Sequence, residues 1–82
     1  MKTNIDTIQE VVTYIENHLE EKLSLDSISK EVNYSKYHLS RMFMNIVGIT
    51  VHNYIQRRRL TEAARLLIFT DKPIMEIALF AG

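Results

Sequence analysis

Residues 25–47 of the chain read LDSISKEVNYSKYHLSRMFMNIV, and two short helical patterns follow each other within this stretch. Apolar residues recur at helical spacing from Leu25 to Val32, and Ser24 is a suitable N-cap for them. Asn33 ends this first pattern, because asparagine accepts the left-handed backbone conformation that often follows a helix. Ser35 can cap a new helix almost at once. The stretch therefore predicts two helices joined by a turn of about three residues, which is a helix-turn-helix.

The sequence on both sides of this stretch is also helical. An earlier helix is predicted from about Asn4 to Glu20, with capping-box spacing between Thr7 and Glu10 near its start. A longer helix should follow from Thr50 to about Ile68, and Pro73 should begin a fifth. We expect the third and fourth helices to bury Leu39, Met42, Phe43, Ile46, Val51, Tyr54, Ile55, Ala63, Leu66 and Leu67. The fold class predicted is all-α, a homeodomain-like helix-turn-helix domain with a long bridging helix.

One helix pattern occurs twice in the chain. Residues 25–33 align with residues 74–82, and Asn33 then corresponds to Gly82, a second residue suited to a left-handed turn. We therefore divide the chain into a first helix-turn-helix unit at 4–48, a bridging helix at 50–68 and the first helix of a second unit at 73–82. On this interpretation the chain is a single incomplete domain that breaks off at the second turn.

Charge is distributed unevenly along the chain, although the total is zero. The segment 1–34 carries three basic and seven acidic side chains, whereas 35–82 carries seven basic and three acidic ones. The basic part is suited to face phosphates, so we predict double-stranded DNA as the partner. The absence of cysteine fits a reducing, cytoplasmic setting. The N-terminus is not a signal peptide, and no apolar run approaches the ~20 residues that would span a membrane.

The sequence argues against an enzyme. His18, His38 and His52 lie in different segments without the spacing of metal ligands. Only two glycines are present, so there is no glycine-rich phosphate loop. We expect no cofactor, no metal and no catalytic residue.

The second helix of the helix-turn-helix has a distinct outer face. With its apolar stripe inward, the exposed positions are Lys36, Tyr37, Ser40, Arg41 and Met44. In this motif the second helix enters the major groove, where Arg41 can bind guanine O6 and N7 and Tyr37 can stack on a sugar or touch a thymine methyl. The Ser35 hydroxyl and Lys36 suit phosphate, and backbone N–H groups at Thr50 suit a second phosphate. Of the consecutive arginines 57–59, we predict Arg58 as a backbone contact.

With these features, the chain resembles the arabinose-regulator (AraC/XylS) family of transcription factors over nearly its whole length. The similar stretches are LSLDSIS (23–29), YSKYHLSRMF (34–43), Gly48, NYIQRRRL (53–60) and IMEIALFAG (74–82). Three positions depart from the usual residues: Ser29 replaces alanine, Asn33 replaces glycine, and Tyr37 replaces the tryptophan of the short activators in the family.

The resemblance implies two helix-turn-helix units, bridged by one helix, that enter successive segments of the major groove. By position it implies base or sugar contacts for Tyr37, Ser40 and Arg41 and a backbone contact for Lys36. It also adds RNA polymerase as a partner. The alternative hypothesis is a helical protein-interaction module, which the apolar residues Met75, Leu79 and Phe80 permit. An apolar surface left open by truncation would also allow a dimer.

Overall fold

Five helices follow one another in the computed structural model, which describes residues 1–81, with side chains as far as Ala78. Their bounds are α1 Asn4–Asn17, α2 Leu25–Val32, α3 Lys36–Val47, α4 Val51–Phe69 and α5 Ile74–Ala81. No strand occurs among the described residues, so the all-α fold class is confirmed. None of these helices combines the length and apolar composition needed to cross a lipid bilayer. The predicted turn at Gly82 lies outside the described residues.

The capping prediction for α1 was wrong by one turn. The capping box joins Thr3 to Asp6. The Thr3 backbone N–H donates to the Asp6 carboxylate at 2.9 Å, and this bond is the main cause that lowers the pKa of that carboxyl. Thr7, which has the same spacing to Glu10, lies inside the helix, where its hydroxyl donates to the Thr3 carbonyl. Both pairs satisfy the same sequence pattern, and only the path of the chain before the helix distinguishes them.

α1 also ends earlier than predicted, at Asn17 instead of about Glu20. His18 is the C-cap, and its backbone N–H bonds to the Ile15 carbonyl at 3.0 Å. Leu19 remains buried although it lies beyond the last helical residue. The apolar spacing that extended the prediction therefore reflects burial, not continued helix.

The turn between α2 and α3 agrees with the prediction. Ser24 caps α2 and Ser35 caps α3, each with its hydroxyl oxygen accepting a backbone N–H. Asn33 adopts the left-handed conformation, with φ 61° and ψ 41°. The Tyr34 N–H then bonds to the Ser29 carbonyl at 3.0 Å, which closes the end of α2. These local bonds fix where α3 starts.

The main core lies between α1, α2, α3 and the first half of α4. Phe43, Leu39 and Ile28 have no solvent-exposed surface, and the Phe43 ring meets the Tyr54 ring edge-on with centroids 5.7 Å apart. The remaining buried apolar residues of this cluster are Ile8, Val11, Ile15, Leu19, Val32, Met42, Val51 and Ile55. This core supports α3 along one side and leaves the opposite side of that helix in solvent.

Two predicted core residues are exposed. Ile46 is 42% exposed because the last turn of α3 extends past the cluster, and Val47 is the partly buried residue there. Leu67 is 56% exposed because the second half of α4 packs on α5 through Ala63 and Leu66, which contact the buried Ile77. Helical periodicity identifies an apolar face, but the neighbouring element decides which part of it is covered.

The repeat is only partly reflected in the packing. Ser29 is buried in α2, whereas its counterpart Ala78 is exposed in α5. Ile28 and its counterpart Ile77 are both buried. Helix α5 starts at Ile74, one residue later than predicted, with the Pro73 carbonyl accepting the N–H groups of Glu76 and Ile77.

Candidate nucleic-acid interface

The outer face of α3, formed by Lys36, Tyr37, Ser40, Arg41 and Met44, is exposed in its entirety. We call these five residues the reading face. They occupy one side of the helix because positions i, i+1, i+4, i+5 and i+8 fall close together at 3.6 residues per turn. The buried residues on the opposite side, chief among them Leu39 and Phe43, prevent the helix from rotating about its axis. The reading face is therefore held in a set direction.

The start of α3 carries three of the predicted contacts. Ser35 uses its hydroxyl oxygen as an acceptor for the His38 N–H at 3.1 Å, which leaves the hydroxyl hydrogen to donate elsewhere. Lys36 is the first helical residue, and its ammonium lies 5.8 Å from the centre of the Tyr37 ring. The Tyr37 side chain itself is 74% exposed. A cation, a hydroxyl donor and a flat aromatic surface are thus grouped at one end of the helix.

Thr50 lies close to this face although it belongs to another helix. Its hydroxyl oxygen accepts the Asn53 N–H at 3.1 Å and so caps α4. A cleft of about 160 Å³ between the starts of α2 and α4 is lined by both Thr50 and Ser40. The structure therefore brings the beginning of α4 next to the middle of α3.

Arg58 is the predicted site residue that is not grouped with the others. It lies eight residues beyond Thr50, which is about 12 Å along a helix. Its guanidinium forms two hydrogen bonds to the Glu16 carboxylate of α1, at 2.9 and 2.6 Å. These bonds raise the pKa of Arg58. A carboxylate oxygen of Glu62 lies 3.9 Å from the same guanidinium. The structure gives Arg58 a place in the α1–α4 junction.

Arg59 reinforces the same junction and was missed by the sequence analysis. Its Nε donates to the Leu19 carbonyl at 3.0 Å, and its Nη2 donates to the Glu21 carbonyl at 2.7 Å. These carbonyls follow the end of α1, where main-chain acceptors lack helical partners. An arginine 38 to 40 residues away supplies them. No local pattern in the sequence would have indicated this pairing.

Asp26 was also missed as a neighbour of the reading face. Asp26 lies in the first turn of α2, where a carboxylate suits the positive end of the helix macrodipole. In the structure its Oδ1 lies 3.4 Å from the Lys36 ammonium. The described residues contain no cluster of three or more side chains arranged to hold a metal ion.

Comparison with known proteins relates this geometry to a family. A family model described as a helix-turn-helix domain matches residues 28–82. The transcriptional regulator Rob of Salmonella typhimurium is 42% identical over 72 residues, covering 88% of this chain and 25% of that protein. The regulatory protein SoxS of Escherichia coli is 39% identical over 75 residues, covering 92% of this chain and 70% of SoxS. The chain thus spans about a quarter of the length of several curated relatives.

A solved structure shares the fold. It is a transcriptional regulator with an AraC-type DNA-binding domain from Chromobacterium violaceum, with a TM-score of 0.84 and 36% identity. The alignment covers 93% of this chain and 68% of that one. The likeness extends over nearly all of the helices described above.

Proposed function

Because the chain belongs to the AraC-type helix-turn-helix family of transcription regulators, we propose that it binds double-stranded DNA sequence-specifically, with α3 in the major groove. The observation that carries the proposal is the exposed reading face of α3, held outward by a buried apolar stripe behind a tight left-handed turn. An α-helix fits into the major groove, where each base pair displays a distinct set of hydrogen-bond donors and acceptors.

Within this proposal Arg41 reads a base. Its planar guanidinium can donate two parallel hydrogen bonds to guanine O6 and N7, the commonest specific contact of this kind. Tyr37 and Ser40, on the same face, contact bases or sugars. The tyrosine supplies an exposed ring and the serine a hydroxyl that both donates and accepts.

The backbone contacts proposed are Ser35, Lys36 and Thr50. Both capping hydroxyls have a hydrogen available for a phosphate oxygen, since each uses its oxygen as the acceptor for its own helix. The N–H groups at the start of α4 add partial positive charge. Phosphate contacts of this type set the register of the protein on the duplex without reading sequence.

Further partners are proposed from the family and from the surface. RNA polymerase is a partner expected of a transcription regulator, and such a protein works in the cytoplasm, as a binding protein and not as an enzyme. Exposed apolar side chains on α4 and α5 support a dimer or a protein-interaction module as the second candidate. They include Leu60, Leu67, Ile68, Ile74 and Met75.

The salt dependence of DNA binding tests the proposed function. A 25-bp duplex would be selected from a random library on the immobilised chain, and its affinity compared with that of a scrambled duplex of equal composition. If two phosphates are neutralised, affinity should fall about tenfold between 50 and 200 mM salt, because counterions are released on binding. Selection that enriches no sequence, together with a protein dimer insensitive to salt, would instead favour the interaction module.

Two roles of Arg58, its ion pair with Glu16 and a contact with a DNA phosphate, can be tested separately. If the main role of Arg58 is its ion pair with Glu16, Arg58→Gln should lower the free energy of unfolding by about 1 kcal/mol, because the pair is only partly exposed. As a phosphate contact, the same change should reduce the slope of log affinity against log salt by about one. Arg57→Gln, which removes the same charge from an exposed neighbour, is the control in urea unfolding and in binding.

We expect the ion pair with Glu16 to be the main role of Arg58. The reversed pair Glu16→Arg with Arg58→Glu should then recover part of the lost stability, since it restores opposite charges across the junction. If Arg58→Gln left the free energy of unfolding unchanged and made the slope of log affinity against log salt shallower, Arg58 would instead be a phosphate contact.

A further inference from the structure

An acidic side chain borders the reading face of α3. Asp26, in the first turn of α2, places its carboxylate 3.4 Å from the Lys36 ammonium. The two side chains line one cleft of about 440 Å³, together with Tyr37 and Ser40. Three of the proposed DNA contacts therefore share a cleft with a negative charge.

The local role of Asp26 does not require this contact. A carboxylate in the first turn of a helix stabilises the helix through the macrodipole, whichever way it turns. Here it is directed across the cleft to the first residue of α3. The Lys36 ammonium thus lies 3.4 Å from the carboxylate and 5.8 Å from the centre of the Tyr37 ring.

The contact contributes little to folding, because both side chains are largely exposed. Their exposed fractions are 66% for Asp26 and 46% for Lys36, and such pairs contribute marginally to stability. Its consequence lies in binding. A phosphate that approaches Lys36 is repelled by the neighbouring carboxylate, and non-cognate DNA is held almost wholly by charge.

We propose that Asp26 is a specificity-determining residue, which weakens binding to non-cognate DNA and orients Lys36 beside Tyr37 for the cognate site. The inference rests on the proposed function. In a non-cognate complex the carboxylate simply subtracts from the charge attraction. In the cognate complex part of that loss is recovered, because a Lys36 side chain already held in position loses less conformational freedom on binding.

The variant Asp26→Asn tests this inference. At 50 mM salt its affinity for the scrambled duplex should rise about threefold, the size of effect typical of one exposed charge pair. The affinity for the selected duplex should rise less, so that the ratio of the two falls by about twofold. The salt dependence should also become steeper, since Lys36 is no longer neutralised in the free protein.

Two controls separate this role from a general charge effect. Glu31→Gln removes the same charge from the same helix, but Glu31 lines the groove between α1 and α2 with Asp6 and Glu10. It should change the affinity for either duplex less than 1.5-fold, an estimate based on the screening of distant surface charges. In a Lys36→Gln background, Asp26→Asn should lose at least half of its effect, because its partner is gone.

The outcomes are distinguishable. Equal effects of Asp26→Asn and Glu31→Gln, or a full Asp26→Asn effect without Lys36, would overturn the inference and leave the proposed function standing. Failure of the unmodified chain to bind either duplex would overturn both. Circular dichroism of each variant at the binding temperature verifies that the comparison is between folded proteins.

Discussion

Replacing Arg41 with alanine is expected to lower the affinity for the selected duplex by about 5- to 150-fold, the range for one bidentate base contact. The reason is geometric. Arg41 is exposed on α3 next to Tyr37 and Ser40, and it contributes no surface to the core. Affinity for the scrambled duplex should fall much less, because there the side chain offers only its charge. The midpoint of thermal unfolding should remain unchanged.

A charge-conserving variant makes the Arg41 prediction sharper. Arg41→Lys keeps the positive charge but loses the planar pair of donors, so it should lose most of the discrimination while the salt dependence stays the same. Arg57→Ala, at an exposed position of α4, is the matched control for removing an arginine. Fluorescence anisotropy with both duplexes measures these effects. If Arg41→Ala bound the selected duplex as tightly as the unmodified chain, Arg41 would not be a base contact.

Replacing Phe43 with alanine is expected to remove about a quarter or more of the free energy of unfolding of the chain. The Phe43 side chain has no exposed surface and packs edge-on against Tyr54. Removing such a ring costs about 3–5 kcal/mol, through lost burial and the cavity left behind. A chain of 82 residues has a total stability of only about 4–12 kcal/mol, so the loss is a large fraction.

The measurement for Phe43 is thermal unfolding followed by circular dichroism. A loss of this size should lower the midpoint by about 12–40 °C in a domain this small. Met44→Ala, at the next position on the exposed side of α3, should shift it by only a few degrees. A Phe43→Ala midpoint within a few degrees of the unmodified chain would contradict the position of Phe43 in the core.

Much of the fold could be predicted from short stretches of sequence. The caps Ser24, Ser35 and Thr50 and the left-handed Asn33 are all where the pattern indicated. Each depends on hydrogen bonds between residues within a few positions of one another, so neighbouring letters are enough to identify it. The exposed face of α3 follows in the same way from helical periodicity.

The errors have a common origin. Thr7 with Glu10 and Thr3 with Asp6 have the same spacing, and only the three-dimensional path of the chain selects the second pair. Ile46 and Leu67 belong to apolar faces, but no described element covers them. In each case a local pattern left two arrangements open, and the three-dimensional structure decided between them.

In the candidate site, too, some features follow from the local sequence and others depend on the packing of the helices. Helical periodicity is enough to identify the residues that face outward from α3, because a helix with a buried stripe has only one exposed side. The partners of the long charged side chains depend instead on how the helices pack, which joins Arg58 to Glu16 across 42 positions and Lys36 to Asp26 between two helices. The cause is the length of these side chains. Flexible side chains such as those of arginine and lysine can meet any group within several ångströms, and that neighbourhood exists only once the helices have packed.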